Sequence, residues 1–128
     1  MGVYRFEDLR VWRAAKEQSD RVGGLIRRPE FRRDPELSRQ MNDASLSVML
    51  NISEGFLRHR DKELAQFLRI SAGSNGEVRT CYHLAEDRRC ISGAEVAELI
   101  ELSNSIGRMT RRLQDTLGPA KDKGRRTG

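Results

Sequence analysis

Aromatic residues make up only 5% of this 128-residue chain, which carries a single tryptophan, two cysteines and two histidines. A core so poor in aromatics must draw its volume from Leu, Ile, Val, Met and Ala on striped helices, which argues against a β-sandwich. No apolar run approaches the ~20 residues that a membrane span needs, and no signal sequence is recognisable. Cys81 and Cys90 lack C-x-x-C spacing. These absences predict a reduced, soluble, cytoplasmic protein with no membrane partner, with two free thiols or, alternatively, a Cys81–Cys90 disulfide.

Signatures of chemistry are missing as well. A di-metal centre in a helical bundle needs Glu-x-x-His pairs from two helices, so that carboxylates and imidazoles converge in the core. The chain has none. His59 falls in a connection and His83 lies two residues past Cys81, off the apolar seam, so both read as surface side chains and not as ligands. There is no G-x-x-x-x-G-K-[ST] and no G-x-G-x-x-G, and Gly73-Ser74-Asn75-Gly76 is one residue short of G-x-S-x-G. No catalytic residue, no metal site and no cofactor is expected.

What the chain does have is helical periodicity. Leu37, Met41, Ala44, Val48 and Ile52 recur at steps of four, three, four and four, the spacing of one helical face. Leu64, Phe67, Ser71, Ser74, Val78, Cys81 and Ala85 then alternate steps of three and four, a seam whose middle is made of small residues. The Gly73–Gly76 cluster has loop composition, but the seam keeps phase through it, so one continuous helix from about Lys62 to Arg88 is predicted. Between the two stripes Gly55 is expected to take the left-handed conformation that ends helices, and Asp61 to cap the next one.

Two more helices flank this hairpin. Leu9, Trp12, Ala15, Ser19, Val22 and Ile26 form the stripe of the first, with Trp12 as a core anchor and Gly23-Gly24 weakening its last turns. Pro29 forces a turn, after which Asp34 and Pro35 read as N-cap and first residue of the second helix. Ser92 and Glu95 make a capping box for the last, with Ile91 and Val96 as a hydrophobic staple, and Gly118-Pro119 is expected to stop it. Short connections make the predicted fold all-α, an up-down-up-down antiparallel four-helix bundle over residues 1–117, followed by a disordered basic tail over 118–128.

The formal net charge is +5. Lys121, Lys123, Arg125 and Arg126 against the single Asp122 place +3 of it beyond Leu117, so the folded part is only mildly basic. Arg27, Arg28, Arg32 and Arg33 around Glu30 and Asp34 read as a solvated loop. The unusual feature is a set of polar residues near the stripes, Gln40, Asn51, Glu54, Arg58 and Glu77. Partly buried carboxylates there require partners, and Arg58 is the nearest for Glu54. Such a network either fixes helix register or a subunit contact, or forms a ligand or nucleic-acid site.

Phe6 to Trp12 (F-x-x-L-x-V-W), Gln40, Asn51 to Arg58 (N-I-S-E-G-x-x-R), Lys62 to Leu68 (K-E-L-x-x-F-L), Gly73 to Glu77 (G-S-x-x-E) and Ile91-Ser92 resemble the four-helix bundle proteins encoded in intervening sequences of bacterial 23S ribosomal RNA genes. The chain departs from that pattern at Asn75 and Gly76, where larger apolar residues are usual. The resemblance implies a homopentamer without enzymatic activity, related to the accessory proteins of diversity-generating retroelements, which bind nucleic acid and a reverse transcriptase. It carries Asn51, Glu54, Gly55, Arg58, Gly73, Ser74 and Glu77 over as motif positions. The expected partners are further copies of the chain and RNA, DNA or a nucleic-acid enzyme, with Arg58, Arg60, Lys62, Arg69 and the tail cations Lys121, Lys123, Arg125 and Arg126 as contacts. The alternative is a purely structural oligomer or a protein–protein adaptor.

Overall fold

The computed structural model describes residues 3–117 with their side chains; the expected stop at Gly118-Pro119 and the basic tail 118–128 lie outside the described residues. A 3-10 turn at Phe6–Asp8 leads into α1 (Arg10–Leu25), a one-turn α2 (Pro29–Arg32), α3 (Pro35–Leu57), α4 (Asp61–Asp87) and α5 (Gly93–Thr127). The four long helices form a bundle in which α4 packs on α3 and α5, and α1 closes the ring against both of them. Residue numbers fall on one helix as they rise on its neighbour. Ser71 and Ser74 of α4 and Arg88, the residue after it, meet Val48, Ser47 and the residue before α3, Asp34, and Arg21 and Arg28 meet Glu98 and Glu95 of α5.

Local chemistry explains most boundaries. Arg28 is extended, as a residue before proline prefers, and Pro29 opens α2. Its short turn exists to bury Phe31 completely. The Asp34 carboxylate accepts the backbone N–H of Leu37 at 3.2 Å, with Pro35 at the first helical position, as expected. At the head of α5 both capping-box bonds form, Ser92 N–H to Glu95 Oε1 at 2.9 Å and Glu95 N–H to Ser92 Oγ at 3.1 Å.

Two expectations at the α3–α4 corner are overturned. Gly55 is helical and α3 runs on to Leu57; the left-handed residue is His59, at φ 59°. Asp61 is the first residue of α4, and the N-cap position belongs to Arg60, whose side chain caps nothing. Gly55 is needed for a different reason. A Cβ there would stand 2.7 Å from the Phe67 Cβ and 3.3 Å from the Leu64 Cα, so the glycine lets α3 and α4 touch backbone to backbone. The α4–α5 corner closes in the same left-handed way at Arg89 (φ 62°), where Cys90 N–H reaches Ala85 O and Arg89 N–H reaches Glu86 O.

The expected stripe of α3 is buried throughout, and that of α4 is buried except for Phe67, which is half-buried. Helix α4 is unbroken through Gly73–Gly76. The stripe of α1 is rotated by about one residue: its buried face is Val11, Ala15, Gln18, Val22 and Leu25. Trp12 is therefore half-buried at the edge, packed on Phe6 with ring centroids 5.2 Å apart, instead of anchoring the core.

Candidate functional site

The motif residues other than Gly73 gather along the seam between α3 and α4. At its middle the Ser47 and Ser74 hydroxyls hydrogen-bond at 2.7 Å, and Asn51 Nδ2 donates to the Ser47 carbonyl (2.8 Å) and hydroxyl (3.0 Å). One polar chain thus ties Asn51 to Ser74 across the seam. Beneath it Ser71, fully buried, donates to the Val48 carbonyl at 2.8 Å.

Towards the α3–α4 corner, Arg58 Nε donates to Glu54 Oε2 at 2.8 Å and its guanidinium reaches Glu63 at 3.6 Å, lying 5.2 Å above the Phe67 ring. The predicted Glu54–Arg58 pair is present, but half-exposed. Towards the other end, Gln40 and Glu77 line a groove of about 300 Å³ with Leu37, Cys81 and Arg88. Gln40 donates to Glu36 at 3.3 Å. Glu54 and Glu77 are both exposed, so neither needs the buried partner expected for it, and Glu77 makes no ion pair among the described residues.

Gly73 is not part of this constellation: it is exposed and nothing lies within 4 Å of where its Cβ would be. Nor are the expected nucleic-acid contacts one patch. Arg58 is engaged by carboxylates and Arg60 comes within 4.0 Å of Glu63 at the corner, whereas Lys62 and Arg69, seven residues apart, lie exposed along the outer side of α4. Lys121, Lys123, Arg125 and Arg126 lie outside the described residues.

Cys81 and Cys90 are free and buried, and burial, helped at Cys81 by the nearby Glu77 carboxylate, pushes their thiols up, away from a reactive thiolate. Among the described residues no group of three or more His, Cys, Asp and Glu side chains is placed to hold a metal ion, and no helix is long and apolar enough to cross a membrane.

Near the polar chain stand exposed apolar side chains that belong to neither apolar stripe. Leu50 is 57% exposed, Leu57 55% and Ile70 47%. Leu50 lies three residues after Ser47 and four before Glu54, and Leu57 one more turn-pair along. Ile70 lies four before Ser74 and seven before Glu77, so helical spacing puts Ile70 beside these two on α4, and Leu50 and Leu57 beside Glu54 on the outer face of α3. Their signal in the sequence was a leucine at 50 and 57, a seven-residue repeat on the face opposite the core.

The model of the 23S rRNA-intervening sequence protein family matches residues 7–112, which takes in every residue of this groove. The chain belongs to that family. No curated protein matches it. Family membership agrees with the all-helical bundle and makes the α3–α4 groove, where N-I-S-E-G-x-x-R faces G-S-x-x-E, the part of this family member that most merits a functional reading.

Proposed function

We propose that this protein is a non-enzymatic, cytoplasmic homo-oligomer, a pentamer, that serves as a nucleic-acid-associated scaffold. The observation that carries the reading is that Leu50, Leu57 and Ile70, each about half exposed, neighbour the motif residues Glu54, Ser74 and Glu77 along α3 and α4. Burying a leucine contributes about 1.5–3 kcal/mol, so three such side chains bordering a groove favour a partner of matching chemistry. Asn51, Ser47 and Ser74 supply hydrogen bonds at its centre, and Glu54, Arg58 and Glu77 a charged rim, the distribution of a protein–protein contact. A second copy of the chain offers the same apolar side chains. The basic residues elsewhere, the 118–128 tail included, then serve an anionic partner.

Light scattering on the purified chain should give about five times the 14.6 kDa chain mass. Leu50→Asp with Leu57→Asp should reduce it to that of one chain while leaving the helical circular dichroism intact. A wild-type chain that runs as a monomer overturns the reading. A second reading, a structural oligomer or protein–protein adaptor without nucleic-acid binding, is favoured by the neutralisation of Arg58 by Glu54 and Glu63. Failure to bind either RNA or DNA at low salt would select it.

A further inference from the structure

On the opposite side of α4 from the motif groove, α4 and α5 border a shallow, open second groove of about 560 Å³ lined by Arg79, Asn104, Gly107, Arg108, Arg111 and Arg112. Four of the six lining residues are arginines, and none is acidic, aliphatic or aromatic. We infer that this α4–α5 groove binds the phosphate backbone of a nucleic acid. The inference rests on the nucleic-acid part of the reading above, but the groove's own lining residues belong neither to the motif nor to the expected basic set, of which only Arg69 lies near it.

The arginines are held ready without being consumed. Arg79 donates to the Asn104 side chain at 3.2 Å, which aims it across the groove and leaves its charge uncompensated by that contact. Arg108 pairs with Glu101 at 3.0 Å and Arg111 with Asp115 at 3.8 Å, but all four of these side chains are more than half exposed. Exposed pairs of this kind contribute little, so a phosphate can take over the guanidinium. Arg112 makes no ion pair among the described residues. Arg108 and Arg112, one turn apart, stand about 6 Å from each other along α5. Gly107, on the same helix, faces the α4 seam, where a Cβ would meet the Asn75 amide at 3.8 Å.

The residue types choose the partner. Guanidinium forks match phosphate oxygens in a bidentate way that a lysine cannot. The lining offers no apolar side chain to enter a lipid surface. It also has no aromatic ring on which a base could stack, so contacts fall on the backbone and binding is insensitive to base sequence. Arg69, ten residues before Arg79 and about 15 Å away along α4, extends the track on the exposed side of the helix. Because the groove lies away from Leu50, Leu57 and Ile70, it remains open when the motif face is covered.

The test is a salt series of fluorescence anisotropy on the full chain with a labelled single-stranded RNA and a labelled duplex. Four proteins are compared: wild type, Arg108→Gln with Arg112→Gln, Arg111→Gln alone, and a control of equal charge loss, Arg32→Gln with Arg33→Gln, at the far corner. The groove pair should weaken binding roughly tenfold at about 50 mM salt and make the slope of log affinity against log salt shallower by about 1.4–1.8, since each lost phosphate contact removes about 0.7–0.9. Arg111→Gln should make it shallower by about half as much. The control should bind within about twofold of wild type, and all four should share one melting temperature and one mass. If the groove pair and the control weaken binding equally, the groove is wrong and the broader nucleic-acid reading survives. If wild type binds neither probe at low salt, or binds vesicles of anionic phospholipid in preference to both, the groove proposal falls with that reading.

Discussion

Gly55 of α3 and Phe67 of α4 meet so closely that a single added methyl group at position 55 would stand 2.7 Å from the Phe67 Cβ. Alanine normally stabilises a helix relative to glycine by about 1 kcal/mol. Here the neighbours are a Cβ and, at 3.3 Å, the Leu64 backbone, neither of which can swing aside. Overpacking of this kind costs about 1–3 kcal/mol. Gly55→Ala should therefore lower the urea midpoint, and a rise would show that α3 and α4 can part at no cost.

Asn75 holds the bundle interior together by a closed set of hydrogen bonds. Its Oδ1 accepts from Gln18 Nε2 (3.3 Å) and Ser103 Oγ (3.0 Å), its Nδ2 donates to the Ser103 carbonyl (2.9 Å), and Gln18 Oε1 accepts from the Tyr82 hydroxyl (3.1 Å). All four residues are buried, and no buried side-chain polar atom among the described residues lacks a partner. Asn75→Ala would strand a buried amide and a hydroxyl and should cost about 2–4 kcal/mol in urea unfolding. In a double-mutant cycle with Gln18→Ala the two losses should fall short of additive by about 1 kcal/mol or more, because the second deletion breaks a network already broken. Strict additivity would sink this account.

Why the sequence showed some of this and not the rest is clear from particular residues. The α3 stripe is legible because Leu37, Met41, Ala44, Val48 and Ile52 are all apolar and all buried. The unbroken α4 is legible because Ser71, Ser74 and Val78 keep their phase through two glycines. But α4 touches three neighbours and buries a second stripe, Leu68, Asn75 and Tyr82, at seven-residue steps. A search for one apolar face passes over its asparagine, and over Gln18 on α1 for the same reason. At Asn75 the only clue was its departure from the pattern that the resemblance implied. His59 and Arg89 carry the left-handed turns without glycine, and nothing in their identity signals it. Of the candidate site, the motif residues stood out in the sequence; that those other than Gly73 gather along the α3–α4 seam, with Leu50, Leu57 and Ile70 nearby, required the helix pairing.

Ser71 fixes the width of the α3–α4 contact. It is fully buried and its hydroxyl donates to the Val48 carbonyl at 2.8 Å, so the helices approach to hydrogen-bonding distance at this level. Ser71→Ala removes the bond and leaves the volume nearly unchanged, which should cost about 1 kcal/mol. Ser71→Val forces the axes apart and should cost about 2–3 kcal/mol, loosening the Ser47–Ser74 pair a turn away. The order of the two urea midpoints checks the claim: valine above alanine would mean that the seam has room to spare.

Glu95 makes the stability of the α2–α5 corner depend on pH. Hydrogen bonding to Arg28, at 2.6 Å, and then to the Ser92 backbone holds its carboxyl at about 2, below the ordinary 4.5. A carboxylate with a depressed folded-state pKa adds stability that is present above its unfolded value and lost as the pH falls through the folded one. The window is therefore from about pH 4.5 down to about 2. Glu95→Gln keeps a side chain able to cap Ser92 but removes the charge. The gap between wild-type and Glu95→Gln urea midpoints should stay constant from neutral pH to about 4.5 and close as the pH approaches 2. Both partners are about a third or more exposed, so salt should narrow the gap at neutral pH as well. A gap independent of both pH and salt would mean that Glu95 acts through capping geometry alone and that its pairing with Arg28 adds nothing.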